Sequence, residues 1–403
     1  MIRTVALIIL MTGFFACSGE NQLPGTLGKE KNSEETNYDI IQATDGNGEE
    51  LKIKKPARRI IVEYIDNAEL VRILDRADRI VGIAGYDYVF EKCLMQFPEI
   101  RKKPTVGLFW KFDYEAVLGL RPDLILTFSG DTSEKREKLP GVDVLFLGLY
   151  YPDLKNPLGS RFVRGVKTLG KILDAESRSD EFIKWYIDHI EMINSRITMI
   201  PDCEKPSVFI TSYPHANPDT TTFSAYLKKD TLTQAVFLAG GKSISESLAE
   251  YNEGSYGIKV DLEWVLEKDP DIIIMHAVDM VDLYGYETDD PSKIASAIDQ
   301  LLSRPELARL KAVKNKRVYL FDGHFRNDAS GGIVAAAYIA KILYPDRFAD
   351  INPEAIHQEY IDMQGLDYNL QQHGIFLYPP LINGDELLGI PDKYFKLVSD
   401  VKR

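Results

Sequence analysis

The sequence predicts an α/β protein of two β/α lobes, each on a central, mainly parallel sheet, joined by one long rigid helix. Three observations carry this. Short apolar runs alternate with amphipathic stretches on both sides of the chain's middle, the pattern of parallel sheets with covering helices. The middle itself holds a long stretch without Gly or Pro, and one helix-strand unit occurs in both halves. With 403 residues, 45% hydrophobic and 27% charged, the chain is long enough for two lobes with their own cores.

Arg3 precedes the apolar run 5–15, which closes on Ala16-Cys17. A charged start, a short apolar core and a small residue before a cut make residues 1–16 an export signal. The run is too short to cross a bilayer of about 30 Å as a helix. The cysteine after the small residue resembles the lipobox of bacterial lipoproteins, with Phe14 where that pattern usually has Leu. The resemblance implies acylation of Cys17 and a membrane anchor; a plain secretory signal is the alternative. Residues 17–37 are polar and Gly-containing, and read as a flexible tether.

The N-terminal lobe is expected over 38–173. Apolar residues flank Asp45-Gly46-Asn47-Gly48, a hairpin-turn composition. A strand at Ile60 to Val62, helical spacing through Leu70, Ile73 and Leu74, and a strand at Ile80 to Ile83 follow, then a second such unit through VDVLFLGL. Over 174–200, Phe182, Ile183, Tyr186, Ile187, Ile190, Ile193 and Ile197 fall on one helical stripe, predicting a single helix of about 40 Å. Its place between two β/α regions makes it a strut between lobes, with a surface helix of one lobe as the plainer reading. Residues 201–348 repeat the alternation as the C-terminal lobe, and 349–403 form an extension without strong periodicity.

The halves match directly. Asp113, Glu115, Val117 and Leu118, followed by Pro122, Asp123 and Ile125, recur at identical spacing as Asp261, Glu263, Val265 and Leu266 with Pro270, Asp271 and Ile273. Helix-to-strand grammar explains part of this, but the match of helix and strand together points to duplication.

Lys and Arg number 48 against 61 Asp and Glu, a net charge of -13 that repels phosphate and excludes a nucleic-acid partner. Cys17, Cys93 and Cys203 lie far apart, in no arrangement for zinc or redox chemistry. The sequence lacks G-x-S-x-G, a P-loop, H-E-x-x-H and G-x-G-x-x-G, so no enzyme is expected. A cleft enzyme using His276 or His324 with Asp322 or Asp279 is the weaker alternative.

The order of ARRIIVEYIDNAELVRILDRADRIVGI, the Asp113 to Ile125 unit, TQAVFLAGGKSIS, VDLEWVLEKDPDIII and AVKNKRVYLFDG resembles the iron-siderophore, heme and cobalamin binding proteins of ABC importers. The resemblance covers most of 38–348 and implies the class III periplasmic-binding-protein fold. It implies a lipid-anchored, extracytoplasmic monomer, in the periplasm or on the cell surface, that hands a metal chelate to an ABC permease. A surface scavenger passing heme or corrinoid to an outer-membrane receptor is the alternative. Two features depart from the family: Lys242 and Ser243 follow Gly240-Gly241 where an Asn is common, and 349–403 exceeds the usual end.

Ligands of parallel sheets sit beyond the strands' carboxyl ends. There the sequence places Tyr64, Tyr86, Tyr88, Phe128 and Ser129 in the first lobe, and Tyr213, His215, His276, His324, Phe325 and Arg326 in the second. Trp110 joins them by family position. This set suits a flat or bulky chelate: aromatic walls, a cation for acidic groups, and His276 or His324 as axial ligand if the cargo is heme. A single loop Tyr or His is more often packing than contact. No His spacing pre-forms a metal site, and no resident cofactor is expected. The resemblance also implies a permease-docking Glu on each lobe: Glu115 in the first, with Glu246 or Glu250 near the Gly-Gly pair in the second. An acid in a helix's first turn is also favoured by the dipole, which applies to Glu115 and Glu263 alike.

Overall fold

The computed structural model describes residues 38–85, 103–108, 111–150, 152–214, 220–277 and 283–396. The signal, Cys17, the tether, Cys93, Tyr86, Tyr88, Trp110, His215 and Asp279 lie outside them. Residues from Tyr38 onward pack as one unit, and its described residues form two main sheets, of four and five strands, and four two-stranded ones. Among the described residues, no helix is long and apolar enough to cross a membrane.

The first lobe opens with the expected hairpin, β1 (Asp39–Thr44) antiparallel to β2 (Glu50–Lys55). The Asp45 carboxylate accepts the backbone N–H groups of Asn47 and Glu49 across the turn. Next come β3 (Ile60–Glu63), helix α1 (Ile65–Ile73), β4 (Ile80–Ala84), α2 (Tyr114–Leu120), β5 (Leu124–Thr127), β6 (Asp143–Phe146) and α3 (Arg161–Ile172). The four strands β3 to β6 form a parallel sheet in the order β4-β3-β5-β6. β3 and β5 are buried along their whole length, as continuous apolar runs require when helices cover both faces.

Helix α4 (Glu176–Ile197) is the long helix of the centre. Phe182, Ile183, Tyr186, Ile190 and Ile193 of the predicted stripe are its buried face. They pack on α3 of the first lobe and on a helix of the second.

The second lobe runs β7 (Ser207–Ser212), β8 (Thr222–Tyr226), α5 (Thr231–Leu238), β9 (Lys242–Ser243), β10 (Gly257–Asp261), α6 (Leu262–Lys268), β11 (Ile272–His276), β12 (Val318–Phe321) and α7 (Ile333–Leu343). Its sheet order is β9-β7-β11-β12, all parallel, and β8 pairs with β10 antiparallel beside it. Every residue of α7 is buried, which fits a sequence apolar all round.

The internal repeat has a structural counterpart in each part. Asp113 caps α2 by accepting Ala116 N–H at 3.0 Å, and Asp261 caps α6 by accepting Trp264 N–H at 2.8 Å. Both helices end on a left-handed residue, Arg121 (φ 47°) and Asp269 (φ 38°). The Asp after each Pro then pins the first strand of its sheet: Asp123 accepts the N–H groups of Arg58 and Arg59, and Asp271 that of Ser207. The same residues do the same work in both lobes, as duplication predicts.

The C-terminal extension binds both lobes. Lys341 in α7 donates to the carbonyls of Phe348, Ala349 and Ile351 and to Asn383 Oδ1, fixing where the extension begins. Helix α8 (Pro353–Met363) follows, capped by Asn352. It crosses to the first lobe, where Tyr360 donates to Glu69 at 2.8 Å and Arg72 donates to the nearby Gln364 at 3.1 Å. The chain then returns to the second lobe, where β13 (Leu377–Tyr378) adds an antiparallel edge to β12.

Glu354 in α8 is buried and accepts Gly389 N–H at 2.8 Å. Burial, reinforced by Asp392 and Glu386, pushes its carboxyl up to about 8. A carboxyl raised in the folded state stabilises fully below its unfolded value, and this is lost as pH climbs through the folded one. Melting temperature should therefore fall between about pH 5 and pH 8. Glu354→Gln should flatten that fall, and an unchanged slope in the variant would refute the assignment.

Candidate functional site

The carboxyl ends of the first-lobe strands present three aromatic rings. Tyr64 follows β3 with φ 68°, a backbone state that costs a bulky residue energy and tends to persist at functional sites. Its ring lies 4.7 Å from Phe128, which follows β5, and Phe128 lies 4.9 Å edge-on from Tyr150, beyond β6. Three adjacent strands thus supply one aromatic cluster, with Tyr64 buried behind the half-buried rings of Phe128 and Tyr150.

Below this cluster the first lobe buries three acids. Glu63 closes β3, pairs with Lys135 at 3.1 Å and accepts Phe128 N–H at 3.0 Å. Burial raises its carboxyl above the ordinary range even so. Burial raises Asp66, in the first turn of α1, well above that range. Glu69, one turn on, accepts Ala329 N–H of the second lobe and the Tyr360 hydroxyl, both at 2.8 Å.

Opposite stands Arg326. Its Nε–H donates to the fully buried Asp230 at 2.6 Å, and its guanidinium lies 4.9 Å from the centre of the Tyr226 ring. Burial works against the charge, but Asp230 outweighs it and holds Arg326 above the usual guanidinium range. Burial raises the Tyr150 hydroxyl well above its usual range, and Arg326 of the second lobe lies within electrostatic reach to work weakly against that rise. Binding Asp230 through Nε leaves the outer guanidinium nitrogens for an acidic group on a ligand.

Burial corrects two strand-end expectations, His276 and Phe325. His276 is sealed in the core, its Nδ1 within 2.6 Å of the Tyr226 hydroxyl, and burial drives its pKa well below 6.5. The pleat turns the His276 ring into its own lobe, where it supports Tyr226. Phe325 is 1% exposed and packs among Phe321, Tyr338, His357 and Phe376. The helical turn His324–Asn327 sends Arg326 outward and Phe325 inward. Tyr213 is half-buried, and its hydroxyl donates to the Ala297 carbonyl at 3.4 Å. His324 pairs with Asp322 at 2.8 Å against the Tyr286 ring, beneath the extension. Ser129 is exposed beside the aromatic face and accepts Asp131 N–H.

Tyr150, Tyr226 and Asp230 were not singled out from the sequence. The strand-end rule, carried on to β6, leads to Tyr150. Asp230 has the composition of a helix cap before TLTQAVFL, and it accepts Leu232 N–H at 3.0 Å. Among the described residues, no three His, Cys, Asp or Glu side chains come together as a metal site. Glu115 and Glu263 are both exposed in the first turns of matched helices, whereas Glu246 (exposed) and Glu250 (half-buried) lie in 3-10 turns.

A family model described as periplasmic binding protein matches residues 60–324. The Bacillus subtilis (strain 168) protein YvrC, described as an uncharacterized ABC transporter substrate-binding lipoprotein, is 24% identical over 326 residues, 79% of this chain and 90% of that protein. Among solved structures, a TroA-like periplasmic binding protein, FepB from Veillonella parvula, superposes with a TM-score of 0.66 at 23% identity, covering 84% of this chain and 99% of the other. The Haemophilus influenzae protein MolA, solved bound to molybdate, superposes with a TM-score of 0.63 at 18% identity, covering 82% and 99%.

Proposed function

The chain belongs to the periplasmic binding protein family, and on that premise we propose that it captures a metal chelate of the ferric siderophore, heme or cobalamin class. Members of this family are extracytoplasmic, non-enzymatic components of ABC transporters that bind a small molecule and deliver it to a permease. The chelate sits between the lobes at 38–173 and 201–348. The observation that carries this reading is the Phe128 and Tyr150 ring pair with the Arg326 guanidinium in electrostatic reach of Tyr150. Aromatic walls take the body of a chelate, and a fixed guanidinium takes its acidic groups.

Glu115 docks the first lobe on the permease and Glu246 or Glu250 the second, with Glu263, exposed like Glu115 in the first turn of an Asp-capped helix, as the matched alternative. Cys17 carries the lipid anchor, and the chain works as a monomer.

The test is to purify residues from 18 onward without added ligand and titrate hemin, cyanocobalamin and ferric siderophores separately. One class should raise the melting temperature and bind at micromolar concentration or tighter. Arg326→Met with Asp230→Asn should weaken that binding tenfold or more, by removal of the charge-assisted contact. Absence of a shift with all three classes would reject the metal-chelate reading.

A further inference from the structure

Away from the aromatic face, a cavity of about 630 Å³ opens between the first lobe's segment 153–155, Asn194 on α4, and the second lobe's α5 and loop 251–254. Its size is that of a site for a small organic molecule. Its floor is apolar, from Leu154, Phe237 and Leu238, while Lys155, Lys228 and Lys229 supply cationic groups.

The charge of two of these lysines is not offset. Lys228 Nζ donates to the neutral Asn252 Oδ1 at 3.2 Å, and Lys155 Nζ stands 5.7 Å from the centre of the Phe237 ring. Neither pairs with a carboxylate among the described residues, although the protein as a whole is strongly acidic. Asp153 is the single carboxylate on the described lining. Tyr251, 8% exposed, closes one side of the lining, with its hydroxyl shut off from solvent. The adjoining hollow shares Asp153 and Gln234 with this cavity and adds Arg161 and Arg164, so the positive lining continues beyond it.

We propose that this cavity is a second binding site, separate from the cleft at Arg326, for a small organic anion with a flat apolar body. The body lies on Phe237 and Leu154. Its anionic oxygens face Lys155 and Lys228. Because the walls come from both lobes and from α4 between them, an occupant would bear on the spacing of the lobes.

Phenyl phosphate is the probe, with benzyl alcohol as its uncharged counterpart, both followed by isothermal titration at low salt. Phenyl phosphate should bind saturably with a dissociation constant of order 10⁻⁴ M or tighter, and benzyl alcohol should not. Lys155→Met with Lys228→Met should weaken phenyl phosphate at least about tenfold, since both charges are lost. Arg326→Met with Asp230→Asn, which removes the cleft's charge pair but keeps a capping oxygen on α5, should leave the affinity as it is. Absence of saturable binding, full affinity in the double lysine variant, or loss in the Arg326 and Asp230 variant would each overturn the proposal. None of these outcomes depends on which cargo the cleft takes.

Discussion

Replacing Glu69 with alanine is expected to destabilise the protein by about 2–6 kcal/mol, because each buried donor left unpaired costs about 1–3 kcal/mol. Two donors lose their acceptor at once: the Ala329 N–H of the second lobe and the Tyr360 hydroxyl of the extension. Glu69 lies in α1, the helix that starts beside Tyr64, so one carboxylate ties the aromatic side of the cleft to the opposite lobe and to the extension. Tyr360→Phe removes only one of these bonds and should cost about 1 kcal/mol. Denaturant unfolding followed by circular dichroism gives both values. A loss below about 1 kcal/mol for Glu69→Ala would mean the knot does not hold the lobes together. Small-angle scattering of the variant should also show a larger radius of gyration if the lobes open.

Arg326→Met carries the second large effect, about 3–5 kcal/mol, for a different reason. It strands the Asp230 carboxylate, which is fully buried and caps α5. Adding Asp230→Asn removes the stranded charge and keeps a capping oxygen, so the double variant should recover most of the loss. The double-mutant cycle isolates the pair. Additive costs would show that Arg326 and Asp230 are not coupled, against their 2.6 Å contact. The same double variant is the one expected to lose cargo binding, so folding and recognition can be read separately.

The sequence determined the lobes because their signals are local. Alternating apolar runs, the stripe from Phe182 to Ile193 and the Asp caps of α2 and α6 each depend on residues within a few turns of one another. The repeat from Asp113 to Ile125 and from Asp261 to Ile273 was legible for the same reason, and even the pinning role of Asp123 and Asp271 follows its register. What the tertiary structure decided was direction. Tyr64, Phe325, Arg326 and His276 all sit at strand ends, but only packing against distant partners sends Arg326 toward the cleft and seals Phe325 and His276 inside. The extension had no periodicity to read, because its order comes from contacts such as Tyr360 with Glu69, 291 residues apart in the chain. A local pattern fixes which residues form an element; which of its side chains meet a ligand depends on the elements that fold against it.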